Sequence, residues 1–233
     1  DFNPSRSLIS GLDPFGATGI GSVQDIFAQT SRYDNAIMYT TPNMGGFSVS
    51  AAYSTNVSGD DADEITGDAY DNTRGFSITP MYKNGPLKVG FGYEKYSRAS
   101  DSKRWNLGGS YDFGVVDLRV AVGQTKDDDA DTKQKSWMVG AVAPVSEAGK
   151  VLALYTRTNL DEGVGSDAKA SKFAVGYVHS LSKRTSLYAT YAKVSTNDEG
   201  EGRFGIGGSE DHPDDVNTFT WTTGFHVGLT HKF

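Results

Sequence analysis

The chain has 233 residues, a net charge of −7, 28 glycines, 12 tyrosines, 12 phenylalanines and no cysteine. No apolar run approaches the length of about 18 residues that a transmembrane helix needs, and the negative charge argues against nucleic acid as a partner. The length suits one or two soluble domains or a single all-β barrel, whose alternating strands average to a polar composition.

The opening DFNPSRSLIS has neither the basic nor the apolar region of a signal peptide, as expected of a mature exported chain or an internal fragment. The lack of cysteine fits export. Residues 1–33 do not alternate. They hold Pro4, Pro14 and several glycines among Phe2, Leu8, Ile9, Leu12, Phe15, Ile20 and Phe27. This predicts a long functional loop, too apolar to be merely solvated, in which SVQDIFAQ forms a short helical turn.

From Asp34 onward, strand, turn and strand repeat. DNAIMYTT, PNMGG and FSVSAAYS form the first unit, with Phe47, Val49, Ala51 and Tyr53 on one face and Ser48, Ser50 and Ser54 on the other. FSITPMYK, NGP and LKVGFGYE form the second. Phe76, Ile78, Leu87 and Val89 face out there, and Ser77, Lys88 and Glu94 face in. In the third, Trp105, Leu107, Val116 and Leu118 oppose Arg104, Asp112, Asp117 and Arg119. The fourth, SWMVGAVAPV to KVLALYTRT, has ambiguous faces, because Leu152 and Leu154 compete with Val151 and Tyr155. The fifth, KFAVGYVHSL to TSLYATYAKV, carries Lys172 inward. The final stretch TWTTGFHVGLTHKF alternates back from Phe233 through Leu229, Val227 and Phe225, long enough to cross a bilayer at a tilt.

These segments predict about eleven antiparallel strands. Short turns alternate with long acidic loops holding Asp60, Asp61, Asp63 and Glu64, then Asp127 to Asp129 and Asp131, then Asp161 and Glu162, then Glu210, Asp211, Asp214 and Asp215. Sorted loop lengths are the arrangement of a transmembrane barrel, and small or charged inner faces suit a wet lumen. The acidic loops read as solvated. The functional alternative is divalent-cation bridging to anionic lipopolysaccharide. Because bacterial single-chain barrels have an even strand count, an odd count predicts that an N-terminal block of the same barrel is missing.

The motifs YTTPNMGGFSVSAAY, YKNGPLKVGFGYEK, GYVHSLSKRTSLYATYAKV and GFHVGLTHKF resemble the general porins of β-proteobacteria. The opening NPSRSLISGLDPFGATGIG is similar to the start of the third loop in anion-selective porins of the Comamonas/Delftia type. The resemblance implies a sixteen-stranded homotrimeric barrel in outer-membrane lipid, with this chain supplying the sixth to sixteenth strands. It implies passive diffusion of small ions and solutes, with anions preferred. Residues 1–33 would be the constriction loop in the lumen, and residues 34–233 the barrel strands.

Arg32 matches the constriction arginine that precedes the sixth strand. Opposite it and Arg119, Asp13 and Asp25 would set up a transverse field. Lys88, Glu94, Arg104, Asp112, Asp117 and Lys172 would line the lumen. Phe233, with Leu229 on the same row, matches the terminal barrel-insertion signal.

No chemistry competes with this reading. His179, His212, His226 and His231 have no metal-ligand spacing, and no nucleophile motif or phosphate loop is present, so neither a cofactor nor an enzyme is expected. The alternatives are a substrate-specific channel, which would show an inward aromatic ladder that the sequence does not display, a receptor or adhesin barrel, and a soluble β-sandwich.

Overall fold

A computed structural model describes residues 2–24, 26–27, 32–57, 73–97, 101–163, 167–206 and 221–233. Eleven strands form one antiparallel sheet in sequence order. They are β1 (Ala36–Thr40), β2 (Phe47–Ser54), β3 (Arg74–Asn84), β4 (Leu87–Ser97), β5 (Ser102–Asp112), β6 (Asp117–Asp127), β7 (Thr132–Pro144), β8 (Gly149–Asp161), β9 (Ala168–Ser180), β10 (Thr185–Thr196) and β11 (Thr223–His231). Among the described residues each strand pairs only with its sequence neighbours, so β1 and β11 are the two edges of this sheet.

The alternation in the sequence is the alternation of the faces. Phe47, Phe76, Leu107, Leu118 and Leu229 are exposed on the outer row, whereas Ser77 is fully buried on the inner row. Large apolar side chains exposed on one face across the sheet make a lipid-facing band rather than a soluble surface. The fourth unit resolves as well. Leu152 and Leu154 turn inward and are buried, while Tyr155 faces out against Trp137.

Hairpin chemistry sets the register at the short-turn end. Gly45 and Gly46 have φ of 63° and 96°, the left-handed pair that a tight hairpin needs between β1 and β2. Pro80 lies in the middle of β3 but has no N–H, and the β3–β4 ladder lacks the Thr79 and Pro80 positions.

The connections differ from expectation at the opposite end. Only 55–73 and 197–222 are long. The acidic stretch after β6 is a turn over 128–131, because the ladder continues until Asp127 pairs with Thr132. Charged residues at a strand end are solvated without leaving the sheet, so acid content marked the ends of the strands too early. Of the acidic groups, 60–64 and 210–215 lie outside the described residues, as does His212.

The inner face is not uniformly wet. A nine-residue helix, α1 (Pro4–Leu12), runs across it where the sequence predicts an irregular loop. Asn3 caps the helix by accepting the Arg6 N–H at 3.2 Å, and Pro4 occupies the first turn, where no N–H is required. Asp13 ends it with extended backbone, as the following Pro14 demands. Leu8, Ile9 and Leu12 share the buried side. With Val23, Ile26 and Phe27 they pack on Ala121, Met138 and Leu154 of the sheet. In the described part of the SVQDIFAQ segment, the Phe27 N–H donates to the Val23 carbonyl at 2.9 Å. Phe204 and Ile206, from the last connection, join the same core.

Candidate functional site

The site is the inner face together with residues 2–24, 26 and 27 lying on it. Glycines on the inner row let the two meet. A Cβ on Gly92 would sit 2.5 Å from the Ser5 hydroxyl, one on Gly108 would sit 2.5 Å from Leu12, and one on Gly140 would sit 2.5 Å from Pro14. Further along, a Cβ on Gly176 would meet Phe15 at 2.8 Å. The loop thus crosses strands β4 to β9 in a track that side chains would fill.

Polar contacts fix it in that track. The Ser5 N–H donates to Ser77 Oγ (3.2 Å), the Ser77 hydroxyl to Asn3 Oδ1 (3.2 Å), and Asn106 Nδ2 to Ser5 Oγ (3.1 Å). These groups are buried, so each bond also avoids the cost of an orphaned polar atom.

Asp13 is the hub of the turn after α1. Its carboxylate accepts the N–H groups of Phe15 (2.9 Å), Ala17 (3.0 Å) and Val23 (2.9 Å). Ala17 is held at φ 59°, a conformation that costs a non-glycine residue about 1–2 kcal/mol. Burial pushes the Asp13 carboxyl above its ordinary value, while the three N–H groups and the Lys172 charge pull it back. This corrects the expected role of Asp13. At 1% exposure it is a structural acceptor and presents no charge to solutes. Asp25, its expected companion, lies outside the described residues.

Arg119 meets the same turn from the wall. It donates to the Asp13 carbonyl through Nη1 (3.2 Å) and pairs with Asp117 through Nη2 (2.8 Å). Lys88 is half-buried on the same row, on the strand position opposite Ser110, which is itself opposite Arg119.

Three of the other charges expected to line the lumen are buried here. Glu94 and Lys172 are 0% exposed, and Arg104 is 8% exposed. Glu94 and Arg104 face each other across the β4–β5 ladder, beside Tyr33 and Tyr96, whose rings meet edge to face at 5.8 Å. Tyr96 donates to Glu94 Oε2 (3.3 Å), and Arg104 Nε to Thr125 Oγ1 (2.7 Å). Asp112 is at the short-turn end, where it accepts the Gly114 N–H (2.7 Å).

Arg32 is exposed just before β1. Arg6, on α1 and half-exposed, is the charge that sequence reasoning missed. Burial, then the positive charge of Arg32, pulls its guanidinium below the ordinary value, while Glu94 works the other way. The signal for Arg6 was present in NPSR, a capped helix start that puts it in the first turn. Inward aromatics were missed as well. Tyr188 and His226 share the inner row, and Tyr188 Oη lies 3.2 Å from His226 Nε2. Leu229 faces outward, and Phe233, just beyond β11, is fully exposed with its ring 4.9 Å from that of His231.

Comparison with known proteins agrees with this geometry. Residues 3–199 match the Gram-negative porin family. The chain is 33% identical to outer membrane porin protein 32 of Delftia acidovorans over all of its own length and 68% of that protein's. It is 32% identical to an outer membrane porin protein of Bordetella pertussis, over 82% of this chain and 61% of that one. In fold it superposes on OmpT of Vibrio cholerae, an outer-membrane protein, with a TM-score of 0.68 at 12% identity, covering 99% of this chain and 74% of OmpT. A second OmpT structure, of its trimer form, superposes with a TM-score of 0.63 at 13% identity, covering 85% and 64%. A lipid-facing apolar row, an inner face crossed by a pinned loop and a match over most of the chain lead to one assignment: the chain belongs to the Gram-negative porin family of the bacterial outer membrane.

Proposed function

We propose that this chain is part of a sixteen-stranded homotrimeric barrel for passive diffusion of small hydrophilic solutes and ions, with residues 1–33 as its constriction loop and anions preferred. Strands β1 and β11 each carry an unpaired edge within the described sheet, and lipid offers no partner for backbone groups. Further strands of the same barrel are the partners that suit them. The 128–131 turn and the other connections at that end would face lipopolysaccharide. Phe233 ends the row that continues Leu229, and its deletion should lower outer-membrane yield several-fold in a heat-modifiability assay.

One observation carries the anion preference: among the described residues of the loop, the accessible charges, Arg6 and Arg32, are both positive, and the acid Asp13 is buried. Arg32 is exposed and Arg6 half-exposed, while Asp13 and Glu94 are buried. Wall charges in a narrowed, low-dielectric passage act more strongly than the same charges in bulk water. The net charge of −7 counts for less, since charges beyond about 8–10 Å are screened at ordinary salt. Reversal potentials of the full-length protein in a salt gradient test this reading. An anion preference that weakens in Arg32→Ala and weakens further in Arg6→Ala/Arg32→Ala is expected. A cation preference that persists at high salt, or selectivity unchanged in the double variant, would overturn it.

A further inference from the structure

A cavity of about 450 Å³ lies between the tip of the loop and strands β8 to β11. Its volume is within the range of small-molecule sites. Phe15 and Ile20 from the loop and Leu152 from the wall give it an apolar side. Tyr188, His226 and the hydroxyls of Ser186, Thr190 and Thr230 give it a polar one. Among the described residues, none that lines it is an acid, a lysine or an arginine. The cavity is at the short-turn half of the sheet, since Ser186 and Thr230 pair next to the 181–184 turn.

The polar side is oriented. Tyr188 and His226 hydrogen-bond at 3.2 Å with their rings edge to face at 5.1 Å. Gly19, at φ 65°, brings the loop against the same imidazole, so that a Cβ there would be 3.5 Å from Nδ1. Tyr188, His226 and the hydroxyls of Thr18, Ser186, Thr190 and Thr230 therefore share this space with the hydrocarbon of Phe15, Ile20, Leu152 and Val178. A charged solute would lose its hydration there and find no countercharge, which is costly. A ring with an apolar face and a hydroxylated edge would satisfy both sides at once.

We propose that this cavity is a subsite for an uncharged, hydroxylated ring of about hexose size, beside the ion path. The inference rests on the diffusion-channel reading, with solute reaching the cavity through the lumen.

The test uses the full-length protein, glucose as the neutral probe and gluconate as its charged counterpart. Saturation-transfer NMR in detergent reports contact with the probe, and bilayer recordings report ion current. Glucose should receive saturation at millimolar concentration and add blocking noise to the open-channel current, and gluconate should do neither at this site. Tyr188→Phe and His226→Phe keep the rings and remove the hydrogen bond. Each should weaken the glucose signals about 2- to 10-fold, the value of one hydrogen bond, while open-channel conductance stays within a small fraction of the parent. Saturation transfer lost in these variants without any ion current would refute the channel reading and leave the subsite standing. Open channels with no glucose signal, or glucose and gluconate signals alike and indifferent to both variants, would overturn the subsite.

Discussion

Two halves of the inner face share one sequence pattern and have opposite fates. Under α1, on β3 to β6, the inner residues Ser77 and Asn106 are buried, and even Glu94 and Arg104 with them. Under the loop tip, on β8 to β11, the same small and polar residues border an open cavity. The difference is in what covers them. Helix α1 presents a continuous apolar side and small polar atoms that interlock with Gly92, Gly108 and Ser77. The tip presents Thr18, Gly19 and Gly21, whose small side chains do not fill the space in front of the wall. An alternating strand thus decides which side chains face inward but not whether they meet water.

Added volume should break the sealed half hardest. In Gly108→Leu the new Cβ would meet Leu12 at 2.5 Å and the Val120 carbonyl at 2.9 Å, with no flexible end to yield on the backbone side. We expect a loss of about 1–3 kcal/mol in urea unfolding from lipid vesicles, and a larger conductance as α1 lifts. Ser186→Leu adds similar volume at the cavity. It should change stability by less than about 0.5 kcal/mol. Equal losses at both positions would mean that the two halves are packed alike.

Removing the hub of the turn comes next. Asp13→Ala leaves three N–H groups without their acceptor and Ala17 without its restraint, for an expected loss of about 2–4 kcal/mol. The pH dependence has a defined sign. Burial raises the Asp13 carboxyl in the folded chain, so the fold binds that proton more readily than the unfolded chain does. The contribution of this group is therefore greatest below the unfolded value of about 3.9 and declines as pH rises through the folded value. Comparing Asp13→Asn with the parent by unfolding at successive pH values isolates it. The decline should vanish in the variant. A parent that gains stability through this window relative to Asp13→Asn would reverse the assignment.

The smallest effect is expected outside both halves. Asp128 pairs with Lys103 at 2.9 Å and with Lys126, and Asp127 accepts the Asp129 and Ala130 N–H groups, each at 3.0 Å. These acids close a turn between β6 and β7. At about 1 M salt, where screening acts within about 3 Å, replacing Asp127 to Asp129 by Asn should leave conductance unchanged within error. A large change would place this turn in the pore.

Much was legible in the sequence because strand alternation and turn chemistry are local. Phe76 and Ser77 are assigned to opposite faces by adjacency alone, and Gly45 and Gly46 specify a hairpin without reference to the rest of the chain. The outward row from Phe47 to Leu229 follows from the same period of two, as does the strand count. The fate of the inner row does not. Ser5 and Ser77 meet across 72 residues, and Asn106 reaches Ser5 across 101. Only after α1 is laid on Gly92 and Gly108 does Asp13 become an acceptor for amides rather than a charge for solutes. Burial of Glu94, Arg104 and Lys172, and the cavity beside Tyr188 and His226, are likewise consequences of one segment resting on another. Such contacts are set by shape between distant parts of the chain, and no local pattern encodes them.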